Sequence, residues 1–294
     1  MANLRAIRKR ISSVKSTQQI TRAMKMVSAA KLRRAQEAIL AARHYAIKMH
    51  EVALSVASRV ESSSHPLLTS REVKRLALLV VTSDRGLCGS FNAGLSRHVH
   101  RHIAERQADY DEIVLFIVGR KGRDFFRRRG EHIHKEYLNV LGTIGRWHSE
   151  MISNDLLEGF VNGEFDEVQV AYNEFRSAIS QVVRIERLLP LVLNTPEDAS
   201  DDKVSKNEIE YLYEPDKREI LELLLPRFFE TQIFRVLLES VAGEHGARMT
   251  AMDSATNNSV DMIARLTLQM NRARQAAITT ELTEIVSGAE ALKG

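Results

Sequence analysis

Apolar residues recur every three to four positions through the first 59 residues, a spacing typical of a helix. This stretch contains no proline or glycine and is rich in strong helix formers. The first apolar positions keep the heptad spacing of a coiled coil: Leu4, Ile7, Ile11 and Val14. Polar Gln18 and Thr21 take the next seam positions. The apolar stripe then moves to Ile20, Met24 and Val27, which predicts a changing contact rather than one regular seam.

The C-terminal part, from about Asp216 to Ala291, has the same character, and Pro226, in its first turns, is its one proline. One apolar set keeps heptad spacing: Ile263, Leu266, Met270, Ala273 and Ala277. A second set continues one position out of phase: Ile278, Leu282 and Ile285. The two helices would be about 85 and 110 Å long. Long helices at opposite ends of a chain most simply pack antiparallel, with a compact domain inserted between them.

Between the helices, strand-like and helical patterns alternate. The predicted strands are Leu76–Thr82, Ile113–Gly119, His132–Leu138, Glu167–Phe175, Val182–Leu189 and Glu208–Tyr213. The predicted helices are Phe91–Gln107, Lys121–Arg129 and Trp147–Phe160. Alternation of strand and helix predicts an α/β layer with parallel pairing. Since the last strands follow without helices, the sheet should be mixed.

Two polar stretches separate these regions. Residues 61–74 contain Pro66 and four serines and are typical of a linker, and residues 194–207 predict a polar surface loop. The expected organisation is therefore an N-terminal coiled-coil helix over residues 1–60, a Rossmann-like α/β domain over 75–213 and a C-terminal coiled-coil helix over 216–292.

Charge is distributed unevenly along the chain. The first 36 residues carry ten Lys and Arg but no acid, and Glu37 is the first carboxylate. Such a start is compatible with a transit peptide, a membrane-surface helix or a nucleic-acid contact. The unbroken helical pattern disfavours a transit peptide, and the lack of aromatic residues before Tyr45 disfavours membrane binding. No apolar run approaches the twenty residues of a spanning helix, so we expect no direct membrane insertion. We also expect no nucleic-acid partner.

The stretch Val80–Gly94, "VVTSDRGLCGSFNAG", has the form of an active-site turn, since a strand leads through glycines into a helix start. It lacks the spacing of a phosphate loop and of a dinucleotide fingerprint. Cys88, the only cysteine, would need a base near it in space to act as a nucleophile, and the sequence assigns none of its histidines to that role; a lone thiol fits a reducing compartment. His98 and His102 are spaced i, i+4 but lack the glutamate of a zinc helix motif. No cofactor, metal or catalytic constellation is predicted.

Five segments together carry a family resemblance. They are "IRKRISSVKSTQQITRAMKMVSAAKLRRAQ", "TSDRGLCGSFN", "YLYEPD", "ARMTAMDSATNN" and "NRARQAAITTELTEIVSGAEAL". In order and spacing they resemble the gamma subunits of F-type ATP synthases of bacterial type. The resemblance is most specific at both termini and at the Asp84–Asn92 loop, and weakest through the middle of the α/β domain.

The resemblance implies a central shaft. In that family the terminal helices form an asymmetric antiparallel coiled coil inside a hexamer of alpha and beta subunits. The α/β domain lies outside the hexamer, beside epsilon and the ring of c subunits, at the cytoplasmic face of the inner membrane. Proton flow turns the ring and the shaft, and the catalytic sites belong to the hexamer. The alternative from the residues alone is a stand-alone α/β nucleotide-binding protein with helical arms.

The resemblance also implies contact residues. Met24, Lys25 and the loop residues Asp84, Arg85 and Cys88 match positions that face an acidic lever of the beta subunit. Three positions of the C-terminal helix match sleeve contacts: Arg248, Gln275 and Thr279. Tyr211 and Glu214 match the foot that meets epsilon and the c-ring.

Gly243 and Gly246 stand where the family usually has serine or alanine. We expect them either to soften the shaft or to let the N-terminal helix, near Met24, approach more closely.

Overall fold

The computed structural model describes residues 2–57, 65–69, 71–191 and 217–291. Five helices are present there: α1 (Ala2–Ala57), α2 (Phe91–Arg106), α3 (Arg120–Arg127), α4 (Arg146–Val161) and α5 (Lys217–Ala291). The strands are β1 (Arg75–Val81), β2 (Glu112–Val118), β3 (Ile133–Tyr137), β4 (Glu167–Phe175) and β5 (Gln181–Leu189). Outside the described residues lie the predicted strand Glu208–Tyr213, the loop 194–207 and all four serines of the predicted linker.

The five strands form one sheet in the order β3-β2-β1-β4-β5. β1 pairs in parallel with both β2 and β4, β2 pairs in parallel with β3, and β5 is antiparallel to β4. Each of the first three parallel strands is followed by a helix, which provides the crossover that a parallel pair needs. The predicted mixed sheet is confirmed, and β5 is antiparallel because a short turn joins it directly to β4.

Helices cover both faces of the sheet, so its central strands are apolar on both sides. On one face, α2 and α3 pack through Leu95, Val99 and Phe126. On the other face the apolar side chains come from α4 and from parts of α1 and α5: Ala53, Ile152, Leu156, Phe160, Leu221, Leu225, Phe229, Ile233 and Leu237. The α/β body therefore includes segments of both terminal helices.

The chain divides into two compact units, one made of residues 30–247 and the other of residues 1–29 with 248–294. Both α1 and α5 contribute to each unit. This division differs from the expected domain boundaries, because the apolar side chains of α5 near Phe229 belong to the core of the sheet.

In the unit formed by residues 1–29 and 248–294, the two helix segments are antiparallel. Thr21 Oγ1 lies 2.8 Å from Thr256 Oγ1, and Lys25 Nζ lies 2.5 Å from Asp253 Oδ1. Farther along, a groove is lined by residues around Ile7 from α1 and around Leu266 from α5. As residue numbers increase along α1, the residues that face them on α5 decrease in number, which confirms the predicted antiparallel pairing.

The predicted shift of the apolar stripe on α1 is wrong at two of its three positions, Ile20 and Val27, whereas Met24 is half-buried. Over residues 4–35 of α1, only Met24 and Ala29 among the buried and half-buried positions depart from one heptad register, which the others keep: 4, 7, 11, 14, 18, 21, 25, 28, 32 and 35. Ile20 and Val27 are instead 59% and 58% exposed. Polar side chains hold the seam because Thr21 and Lys25 each find a partner on α5, and a single helix sequence does not show such cross-helix pairing.

Candidate partner-contact surfaces

The basic residues at the start of α1 point to solvent. Of the ten Lys and Arg in the first 36 residues, only Lys25 is half-buried, and the other nine are exposed. Lys25 pairs with Asp253, although its side chain stays 42% exposed. Met24 beside it is half-buried. The helix therefore presents a cationic surface, in which long side chains also cover apolar area with their stems.

The end of α5 presents apolar side chains to solvent. Residues 278–290 are all exposed. Their large apolar members are Ile278, Leu282, Ile285 and Val286, each between 49% and 67% exposed. The heptad set that ends at Ala277 is half-buried or buried, as predicted. A contiguous apolar stretch of this size on one helix end indicates an interaction surface.

The predicted contact residues of α5 fall into two groups. Gln275 and Thr279 are exposed, and Thr279 Oγ1 donates a hydrogen bond of 3.0 Å to the Gln275 carbonyl oxygen. Arg248 is buried, at 8% exposure, so its guanidinium acts within the chain. Tyr211 and Glu214 lie outside the described residues.

The Asn92 side chain forms hydrogen bonds that hold the glycine-containing loop after β1. The Asn92 Oδ1 atom accepts the Ser83 backbone N–H at 2.8 Å, and its Nδ2 group donates to the Arg85 carbonyl oxygen at 3.3 Å. Nδ2 also lies 3.2 Å from Cys88 Sγ. Arg85 is exposed, whereas Cys88 is 2% exposed. The thiol therefore supports the loop from inside and presents no surface of its own.

At this loop, where an α/β fold often binds phosphate at a helix start, the chain supplies its own carboxylate. Asp84 Oδ1 accepts the backbone N–H of Arg120, at the start of α3, and that of Asn139, each at 3.1 Å. Thr82 Oγ1 accepts the Gly122 N–H at 2.8 Å. An incoming anion would meet a negative charge already seated on these amides.

Other candidate chemistry does not come together. Among the residues that the structure describes, no three His, Cys, Asp or Glu side chains are grouped to hold a metal ion. His102 Nε2 lies 3.2 Å from Gln169 Oε1, and His98 is exposed. Over the same described ranges, none of the helices is long and apolar enough to cross a membrane.

Gly243 and Gly246 do allow close packing, but against a different partner from the expected one. A Cβ at Gly243 would lie 3.1 Å from Phe91 Cε2, and a Cβ at Gly246 would lie 3.2 Å from the Cα and carbonyl oxygen of Ala178. The neighbours are thus the start of α2 and the β4–β5 turn. The expectation of an approach by α1 near Met24 is wrong, because these glycines belong to the α/β body.

Sequence reasoning missed two features. Leu87, within the pinned loop, is 64% exposed and has a φ of 63°. An apolar groove of about 1260 Å³ lies between α1 and α5 within residues 30–247, and its walls include Leu40, Ile47 and Phe234. Leu40 and Ile47 fall outside the heptad register of α1, and these two out-of-register apolar residues could have indicated the groove. No pattern in the sequence gives the backbone angle of Leu87.

Comparison with known proteins identifies the family of this chain. The family model described as ATP synthase matches residues 3–292. The chain is 53% identical to the ATP synthase gamma chain of Trichlorobacter lovleyi and 53% identical to that of Geobacter metallireducens, in each case over 100% of both chains.

Solved structures agree with this relationship. A chain in a structure of the Tetrahymena thermophila mitochondrial ATP synthase central stalk and c-ring matches with a TM-score of 0.61 and 25% identity, over 80% of this chain and 99% of that one. A chain from the Euglena gracilis mitochondrial ATP synthase has a TM-score of 0.67 at 20% identity, over 99% and 95% of the two chains, and supports the fold alone. The chain belongs to the ATP synthase gamma-chain family.

Proposed function

We propose that this chain is the rotating central-stalk subunit of a proton-translocating F-type ATP synthase. Its role is to couple proton flow through the c-ring to ATP synthesis or hydrolysis in the alpha–beta hexamer, and to regulate the ATPase activity. The observation that carries the proposal is the 53% identity to ATP synthase gamma chains along the whole length of the chain. Relatedness of that extent includes both terminal helices, on which rotation would depend.

The exposed end of α5 supports a shaft inside a sleeve. Burying a large aliphatic side chain is worth roughly 1.5–3 kcal/mol, and Ile278, Leu282, Ile285 and Val286 have no such burial in the free chain. A surrounding hexamer would supply it. Because the α5 segment beyond the half-buried Ala277 is wholly exposed, the proposed shaft presents an asymmetric surface, which lets one orientation favour one catalytic site over the others.

The cationic surface of α1 suits contacts that form and break. Exposed ion pairs are worth only about 0–1 kcal/mol each, so exposed bases can meet acidic lever residues without holding the shaft in one position. We assign Met24, Lys25 and Arg85 to the contact with the acidic lever of the beta subunit. Asp84 and Cys88 hold the loop in shape from inside. Gln275 and Thr279 contact the sleeve, Arg248 positions α5, and Tyr211 and Glu214 form the foot toward epsilon and the c-ring.

We further propose that the chain itself is non-catalytic and binds at the cytoplasmic face of the bacterial inner membrane as a peripheral subunit. The carboxylate of Asp84 on the backbone amides of Arg120 and Asn139 supports the absence of nucleotide chemistry, since a phosphate would be repelled there. The bond-making step then belongs to the alpha and beta subunits.

Co-purification tests the proposal. A tagged chain expressed in its own organism should retain alpha, beta, epsilon and c subunits in fixed stoichiometry. In that complex, limited proteolysis should spare residues 275–291, whereas the free chain should lose them rapidly. Cleavage at exposed Ile179 in the β4–β5 turn serves as the internal reference. Recovery as a monomer without ATPase subunits would contradict the proposal.

Calorimetry distinguishes the proposed function from the alternative of a stand-alone nucleotide-binding protein. ATP added to the purified chain at micromolar concentration should release no saturable heat. Saturable binding that disappears in Gly86→Val or Gly89→Val would favour the alternative.

A further inference from the structure

Leu87 adopts a backbone conformation that leucine rarely takes. Its φ is 63° and its side chain is 64% exposed. Left-handed backbone crowds the Cβ of an L-residue against the carbonyl group, so glycine is the usual occupant. Gly89, two residues on, uses a positive φ of 57°. Glycine at position 87 would relieve both the strain and the exposure of an apolar side chain, so the leucine itself requires an explanation.

The loop holds this side chain on a fixed base. Asn92 binds the chain on both sides of Leu87, at the Arg85 carbonyl oxygen and at the Cys88 sulfur. Asp84 ties the same loop to two backbone amides of neighbouring segments. A side chain presented in this way loses little conformational freedom when it binds, which favours affinity.

Positive charge surrounds the loop. Arg85, Arg120 and Lys121 are all exposed. The position of a Cβ at Gly86 would be 3.8 Å from Lys121 Cε, so this lysine lies directly against the loop. Of the carboxylates in this region, Asp84 is engaged by backbone amides and Asp124 is paired with Arg123 at 2.8 Å. A surface that complements the loop would have an apolar pocket with carboxylates at its border, because charge selects and steers a partner while a few side chains in desolvated pockets provide much of the affinity.

We propose that Leu87 is the apolar anchor of the Thr82–Ser90 loop, and that it inserts into an acid-bordered apolar pocket of the alpha–beta hexamer. This inference rests on the proposed function. It adds a residue whose strained backbone is maintained for contact with the partner.

Leu87→Asn tests the anchor. Asparagine tolerates the left-handed region and removes the apolar group, so the free chain should keep or raise its Tm. Its affinity for the purified alpha–beta hexamer should fall about fivefold or more, the loss expected of an anchor residue. Ile179→Asn, at an 82% exposed position in the β4–β5 turn, is the matched control and should bind as the wild type does. Leu87→Met should retain most of the affinity.

Salt and a second variant sharpen the result. The affinity of the wild-type chain should fall as salt screens Arg85, Arg120 and Lys121, and Leu87→Asn should have the same salt slope with a constant offset. If the Tm of Leu87→Asn falls, Leu87→Gly replaces it, since glycine removes the side chain and relieves the strain together. Wild-type affinity in Leu87→Gly or in a stable Leu87→Asn overturns the anchor. Failure of the wild-type chain to bind the hexamer at all contradicts the proposed function instead.

Discussion

Helix α5 lies in two different surroundings along its length. Between Leu221 and Ala247 most of its residues are buried, and Leu225, Phe229 and Ile233 are fully inaccessible. From residue 278 to residue 290 every position is exposed. One helix thus serves as a core element of residues 30–247 and, beyond that unit, as a surface element that depends on a partner.

The two units also differ in how their helices are held. In residues 30–247 the helices pack through apolar side chains on both faces of a sheet. In the terminal helix pair the seam includes a Thr21–Thr256 hydroxyl contact and the Lys25–Asp253 ion pair. A neutral hydrogen bond contributes about 1 kcal/mol net, less than a buried aromatic side chain. We therefore expect the body to be stable on its own and the helix pair to gain stability from its proposed sleeve.

The largest expected effect is in the apolar core. Phe229→Ala removes a fully buried ring and should lower the free energy of unfolding by about 3–5 kcal/mol. Denaturant unfolding followed by circular dichroism measures the change. Leu223→Ala, at a 75% exposed position of the same helix, should change it by less than about 0.5 kcal/mol. Equal losses at both positions would contradict the assignment of this α5 face to the core.

These surroundings set how much the sequence predicts. The strands of the sheet were predicted within one residue at each end, because continuous apolar runs such as that of β1 occur where both faces are covered. The seam of the helix pair was predicted on α1 as far as Thr21 but not at Lys25, because Lys25 looks like a surface residue unless Asp253 is known to face it. The packing of Gly246 against Ala178 was missed for the same reason: a glycine reveals a close approach but not the neighbour.

Two glycines of α5 sharpen the comparison. A methyl group at Gly246 would lie 3.2 Å from the backbone of Ala178, while one at Gly288 meets nothing within 4 Å. Overpacking costs about 1–3 kcal/mol, and alanine gains about 1 kcal/mol in helix propensity. Gly246→Ala should therefore lose up to about 2 kcal/mol in denaturant unfolding, whereas Gly288→Ala should raise the helicity of the α5 end. Stabilisation by Gly246→Ala would mean that the β4–β5 turn yields.

Acid sensitivity should belong to the α/β body, because residues 1–29 and 248–294 contain no histidine. His148 is 5% exposed, and its Nδ1 accepts the Gly145 N–H at 3.1 Å. Burial lowers the pKa of His148. The unfolded state then binds more protons, so stability is present above the ordinary pKa of about 6.5 and falls as pH drops through the lower folded value.

His148→Gln keeps an acceptor at the third helical position and removes the titration. Between pH 7 and pH 5, the wild type should lose about 1 kcal/mol relative to this variant, the contribution of one hydrogen bond. Denaturant midpoints at each pH measure the difference. A spin label at position 22, in the helix pair, should report no change over the same pH range. A change confined to that label would mean that the acid sensitivity lies in the helix pair and would contradict its assignment to the α/β body.

The smallest effect is expected at the seam of the helix pair. The Lys25 and Asp253 side chains are 42% and 47% exposed, so water screens their attraction. A double-mutant cycle with Lys25→Gln and Asp253→Asn should give a coupling of about 0.5 kcal/mol. At about 1 M salt, where the Debye length is about 3 Å, most of this coupling should disappear.

The Arg235–Glu239 pair in the body provides the matched cycle. Its side chains are 35% and 17% exposed, and Arg235 also donates to Glu186. Desolvation raises the pKa of Glu239, and the attraction of Arg235 opposes this shift. Less water reaches this pair, so its coupling should be larger and should persist in salt. A coupling above about 2 kcal/mol at Lys25–Asp253 would contradict a weakly held seam, because the helix pair would then be stable without a sleeve and its exposed apolar end would need another explanation.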